Sequence, residues 1–174
     1  MAVIRNILAL ILLLIPLKAF SEEFAQVSLL QGGRHEDKYS LALHIKLAPG
    51  WMTYYKIPGE AGIAPKPTVS GSTNLRDVLM DFPQPKPFME GGLKVMGYDD
   101  EVIFPLTIIA KDPKKPVFLN LKFDFGVCEK MCVPQNKVFS QQLSEAPNAE
   151  DLKLIKRAQA LVPRGGETIQ LQGE

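Results

Sequence analysis

The sequence predicts an all-β protein, an antiparallel β-sandwich closed by a short C-terminal helix. Three observations carry that expectation. Tyr39 to Leu47 and Val117 to Phe125 each alternate strictly between apolar and wetter positions, the period of a half-buried strand. Turn-forming pairs recur between short apolar runs: Gly32-Gly33, Pro49-Gly50, Pro58-Gly59, Gly71-Ser72, Gly91-Gly92 and Asp112-Pro113. No alternation of strands with helices is present of the kind that builds a parallel sheet.

Taken in chain order, the N-terminus reads as a secretory leader. Arg5 gives it a positive start, Ile7 to Leu17 an apolar run interrupted by Pro16, and Ala19-Phe20-Ser21 a small-residue cleavage site before Glu22. The run is shorter than the ~20 residues a spanning helix needs, so cleavage is expected, with residues 1–21 as the signal peptide. No cysteine follows to carry a lipid, and no later run is long enough to span a bilayer, so the product is expected to be soluble.

Strands are expected at Phe24 to Leu30, Tyr39 to Leu47, Met52 to Lys56, Val102 to Ala110, Val117 to Phe125 and Val138 to Leu143. Leu75 to Phe82 fits a short helix or a strand. Pro83, Pro85 and Pro87 then predict an extended path outside any ladder. Asn148 can cap a helix with Glu150 and Asp151 in its first turn, and Leu152, Ile155, Gln159 and Val162 along one side. Pro163-Arg164-Gly165-Gly166 stops it, and the tail beyond is expected to be loose. The sandwich domain is placed at residues 22–146, and the helix with a flexible tail at 147–174.

Without the leader the chain carries 18 basic and 19 acidic residues, which gives no global pull toward nucleic acid or anionic lipid. There is no glycine-rich phosphate loop and no Gly-x-Ser-x-Gly. Chemistry therefore centres on the two cysteines, Cys128 and Cys132. Exported, so close a pair should oxidise. In a continuous strand they would lie ~13 Å apart and could not bond, at ~3.3 Å per residue. A turn at Glu129 to Met131, bracketed by Gly126 and Pro134, would instead set them opposite each other, ~4.5 Å apart as a non-hydrogen-bonded antiparallel pair.

Such a bond could staple a hairpin or exchange with other thiols. The chain-entropy stabilisation of so short a loop is only about 2 kcal/mol, against ~4.7 for a 100-residue loop. A short surface hairpin disulfide is thus a weak staple but open to thiolate attack. A metal site is not expected, because two thiolates fall short of the usual four zinc ligands. His35 and His44, the only histidines, read as surface or packing residues.

The motifs around the pair resemble a known family. Gly50-Trp51-Met52-Thr53-Tyr54-Tyr55-Lys56 with Pro58-Gly59-Glu60-Ala61-Gly62, Phe82-Pro83-Gln84-Pro85-Lys86, Gly97-Tyr98-Asp99-Asp100-Glu101 running on to Leu106, and Val127-Cys128-Glu129-Lys130-Met131-Cys132-Val133-Pro134 are similar, in the same order, to blocks of the N-terminal periplasmic domain of the DsbD thiol:disulfide interchange family. The resemblance implies an immunoglobulin-like β-sandwich in the periplasm. It implies that Cys128 and Cys132 are the redox pair, taking reducing equivalents from a membrane-embedded thiol donor and passing them to thioredoxin-fold periplasmic proteins. No cofactor and no small-molecule substrate are implied.

The family's aromatic cap maps onto Phe88-Met89-Glu90-Gly91-Gly92, with Phe88 or Met89 as the covering side chain and Tyr54 and Tyr98 as aromatics shaping the site. Two departures stand out. Three residues separate the cysteines here, fewer than in the best-known member. The sequence also ends after one helix, where that member continues into transmembrane and thioredoxin-like domains, so its electrons are expected to come from separate proteins. The competing expectation is a non-catalytic binding module whose hairpin disulfide only shapes a loop.

Overall fold

The computed structural model describes residues 24–166 and 168–173, so the leader assigned to residues 1–21 lies outside the described residues. Two antiparallel sheets pack face to face. The first runs in the order β1 (Ala25–His35), β2 (Lys38–Leu47), β8 (Glu101–Ala110), β5 (Leu75–Asp81), β11 (Thr168–Gln172). The second runs β10 (Cys132–Gln142), β9 (Phe118–Cys128), β3 (Met52–Gly59), β7 (Leu93–Asp99), β6 (Lys86–Glu90), and the short β4 (Lys66–Val69) also pairs with β9. This is the immunoglobulin-like sandwich that the sequence motifs implied.

The core lies between the sheets and follows the period-two pattern. Tyr39, Leu41, Leu43 and Ile45 of β2 meet Phe104, Leu106 and Ile108 of β8 and Leu119, Leu121, Phe123, Phe125 and Val127 of β9. Aromatic edges interlock there: Phe104 contacts Phe82, Tyr98 and Phe123 at centroid distances of 5.2, 5.4 and 6.3 Å. Such tilted and T-shaped contacts add to burial because ring edges and faces carry opposite partial charge.

The outer face of the first sheet is covered by α1 (Ala149–Ala160). Asn148 caps it, its side chain accepting from the backbone N–H groups of Glu150 and Asp151 at 3.0 and 3.2 Å. Ile155 is pressed into a small second cluster with Leu30 and Ala42, flanked by Leu154 and Ile103. Ala42, expected on a wet strand face, is therefore buried under the helix. The expected helix stripe shifts as well. Ala158 is buried where Gln159 was placed, since i+3 lies on the same face as i+4 and the apolar side chain takes the contact.

One open alternative is settled and two further expectations resolve differently. Leu75 to Asp81 is a strand between β8 and β11. Pro87 lies within β6, opposite Met96, and not outside the ladder. β6 is the edge strand of its sheet, where a residue without an N–H can point its bare side to solvent. The tail expected to be loose instead forms β11, with Ile169 and Leu171 packed against the core and Thr168 to Gln172 paired with β5.

Ile155→Ala tests the helix-on-sheet contact. Truncating this fully buried side chain should cost about 2–5 kcal/mol, read from equilibrium denaturation.

Candidate functional site

β9 and β10 form the hairpin that the cysteine spacing required. Cys128 and Cys132 are directly opposed residues in the ladder, their Cα atoms are 4.2 Å apart, and they are joined as a disulfide. Glu129, Lys130 and Met131 make the connection. The two sulfurs sit in different surroundings: Cys128 is 1% exposed, whereas Cys132 begins an exposed strand end.

The pair lies on the outward face of the second sheet, not in the sandwich core. Cys128, Tyr54 and Val95 form a separate small cluster, with Met52, Ala61, Ile63 and Phe88 packed around it. Gly126 makes room for this cluster: a Cβ there would run into Ile63, and its carbonyl accepts from the buried Thr53 hydroxyl at 2.7 Å. Gly62 (φ +105°) lies so close over the Tyr54 ring that any Cβ would collide with it. Both constraints explain glycines that the sequence alone places only in a family motif, for Gly62, and beside the cysteine turn, for Gly126.

Tyr54 is fully buried, and its hydroxyl is the hub of the site. It lies 2.6 Å from Cys128 Sγ, 3.1 Å from Cys132 Sγ and 2.7 Å from Glu90 Oε2. Disulfide sulfurs carry no hydrogen, and a carboxylate accepts more strongly than sulfur. The phenol therefore donates to Glu90, with the sulfurs as lesser acceptors. The other carboxylate oxygen, Oε1, is 2.8 Å from Cys132 Sγ. Burial first, and then Glu90, push the Tyr54 phenol well above the ordinary tyrosine range, so it stays a protonated donor. Glu90 reaches the sulfurs from the tip of the β6–β7 hairpin, where Gly91 (φ +55°) and Gly92 (φ +88°) make the two-residue turn.

The sequence matches the family profile described as "Thiol:disulfide interchange protein DsbD, N-terminal" over residues 21–144. The chain belongs to the DsbD N-terminal domain family. The N-terminal periplasmic domain of ScsB from Proteus mirabilis is similar in structure, with 30% identity and a TM-score of 0.69. That match covers 81% of this chain and 55% of the ScsB chain, so this chain spans only about half of that protein's solved domain. The reduced N-terminal domain of DsbD from Neisseria meningitidis is more distant, at 16% identity and a TM-score of 0.40 over 84% of this chain and 90% of that one. No curated protein matches.

Among the residues that the DsbD-family motifs singled out, the structure brings together Cys128, Cys132, Tyr54 and Phe88. Met89 is 70% exposed and stands outside the cluster. Tyr98 is elsewhere: it pairs with Thr53 across β3 and β7, faces the core beside Phe104, and donates to the Pro83 carbonyl at 2.8 Å. Tyr54 pairs with Gly97, one residue away, and so faces the opposite side of the sheet. Glu90 was not singled out, although a lone acid between Phe88-Met89 and Gly91-Gly92 is a readable signal. Neither histidine is at the site; His44 is buried against Glu101, 3.0 Å from its Oε2, and His35 is exposed.

Three outcomes follow from this geometry. Gly62→Ala should destabilise the domain by about 1–3 kcal/mol in denaturant titration, because it adds strain at a positive φ and displaces the Tyr54 ring. Tyr54 loses its proton less readily in the folded state than at the ordinary value of 10.0, so the unfolded chain holds fewer protons above that pH. Stability should therefore fall as pH rises above 10.0, and Tyr54→Phe should reduce the fall. In an ultraviolet titration Glu90→Gln should lower the Tyr54 pKa toward the ordinary value.

Proposed function

We propose that this chain is a periplasmic thiol–disulfide exchange domain that passes reducing equivalents to partner proteins through Cys128 and Cys132. The observation that carries the reading is the asymmetry of the disulfide, one sulfur exposed and one buried against Tyr54, in a chain of the DsbD N-terminal family. Cys132 is the sulfur that partners meet. In the reduced domain its thiolate attacks a partner disulfide, one partner sulfur leaves as a thiolate, and a mixed disulfide forms. Cys128 then attacks Cys132 Sγ and expels the partner's second thiolate, so the partner gains two electrons and the domain returns to its disulfide.

The partners that fit are thioredoxin-fold proteins of the periplasm, with a membrane-embedded thiol protein as the electron source. Tyr54 and Glu90 shape the site: the phenol can donate to a developing thiolate at either sulfur, and Glu90 Oε1 can accept the proton of a Cys132 thiol. Phe88 shields the inner sulfur from the side, and enzymatically the reaction is that of a protein-disulfide reductase.

Single-cysteine variants test this directly. Cys128→Ser should capture a thioredoxin-fold partner as a mixed disulfide stable on non-reducing gels, and Cys132→Ser should not. Capture by neither variant, together with a potential below about −300 mV in a redox titration, would show a structural disulfide instead.

A further inference from the structure

Glu90, Cys128 and Cys132 each bring one potential ligand atom to a common point, and the three atoms lie within 4.8 Å of one another. No other such convergence of three His, Cys, Asp or Glu side chains occurs among the described residues. In the disulfide form the sulfurs are bonded to each other and are weak donors. Reduction with two electrons and two protons breaks the S–S bond and leaves two thiols beside the carboxylate. From this geometry we propose that the reduced domain binds one thiophilic divalent cation of the Zn²⁺ class through Cys128 Sγ, Cys132 Sγ and the Glu90 carboxylate.

The sequence supplies only two thiolates, four positions apart, which is too few for a closed zinc site. The fold adds the third donor from a hairpin 42 residues upstream. Three protein ligands with a fourth position left to water form the open type of zinc site. Tyr54 completes the arrangement from outside the ligand set. Its hydroxyl donates to Glu90 Oε2, which leaves Oε1, the oxygen beside Cys132, turned toward the sulfurs. A hydrogen bond of that kind orients a ligating carboxylate.

Binding replaces the two thiol protons, which leave to solvent, by one cation, and no electrons move in that step. Metal and disulfide therefore exclude each other. An ion on both thiolates blocks attack on a partner disulfide; once the ion dissociates, the freed thiolates reduce that partner disulfide to two thiols, and the domain's own disulfide then no longer offers the thiolates that would rebind the ion. The inference rests on the pair being reducible, as the proposed function requires, but not on the identity of any partner.

The test uses the purified chain reduced by a water-soluble trialkylphosphine, which is converted to its oxide, with liberated thiols counted by a colorimetric reagent. Zn²⁺ is then titrated against a chromophoric chelator, and Co²⁺ serves as the spectroscopic probe. The reduced chain should take up one Zn²⁺, the oxidised chain none at the same concentration, and Co²⁺ should give a thiolate-to-metal charge-transfer band. Glu90→Gln should weaken Zn²⁺ binding at least ~10-fold and Tyr54→Phe in the same direction, as losses of a ligand and of its orienting group. Glu129→Gln, the acid in the connecting loop, should leave it unchanged.

Binding by the reduced chain no tighter than by the oxidised one would overturn the proposal. So would two chains per ion, or wild-type affinity in Glu90→Gln. Two thiols released and partner exchange intact, without metal uptake, would sink this inference alone. Failure to release thiols would sink it and the exchange function together.

Discussion

Side chains alternate along β9, and that single constraint decides where the chemistry sits. The strand drives Leu119, Leu121, Phe123, Phe125 and Val127 into the core, so the next residue, Cys128, must emerge on the opposite face. Register then selects its neighbours. Met52 pairs with Cys128 and Thr53 with Val127, which puts Tyr54 on the cysteine side and Tyr55 on the core side against Phe82. The same parity carries across to β7, where Gly97 lies opposite Tyr54 and Tyr98 opposite Thr53. A slip of one residue in any of these pairings would send the cysteine into the core and the phenol away from it.

Stability and reactivity are consequently held by different parts of the molecule. The continuous core between the sheets does not depend on the disulfide, whose short loop contributes only about 2 kcal/mol in the chain-entropy model. The outer cluster around Tyr54 is small and contains a buried hydroxyl that would be costly without a partner. Glu90 satisfies it, and no buried side-chain polar atom among the described residues lacks a hydrogen bond. The hydrogen bond that removes this cost also places a carboxylate beside the exposed sulfur, so packing and the site's electrostatics constrain the same side chain.

Much of the fold was legible because period-two alternation is a local signal. β2 and β9 could be read residue by residue, and the hairpin between the cysteines followed from the reach of the chain alone. What local pattern could not carry was coverage from afar. Ala42 reads as a wet position until α1 lies over it, and β11 is unremarkable in isolation until β5 offers it an edge. Pro87 argued against a strand, and only the strand order, which puts β6 at an edge, removes the objection. At the site the cysteines and Tyr54 were readable from the family motifs. Glu90 was signalled only by its place before Gly91-Gly92, because its contacts with residues 36 and 42 positions away are set by a hairpin tip and not by any spacing.

The asymmetry between the two cysteines follows from strand order. β9 lies inside its sheet, flanked by β10 on one side and by β3 and β4 on the other, so Cys128 is enclosed by backbone on both sides. β10 is the edge strand, and Cys132 stands at its first position with no strand beyond it among the described residues. The outward faces of the two sheets are used differently as well. On the first, α1 covers the strands at Ala42; on the second, among the described residues, the Ala61 to Ile63 segment and the β6–β7 hairpin lie over the cluster. An incoming thiolate must approach along the S–S axis, so the sulfur it can reach is the one on the open edge. For the proposed exchange function, a division between a sulfur that meets partners and one that resolves them would follow from topology, before any difference in acidity between the two thiols is invoked.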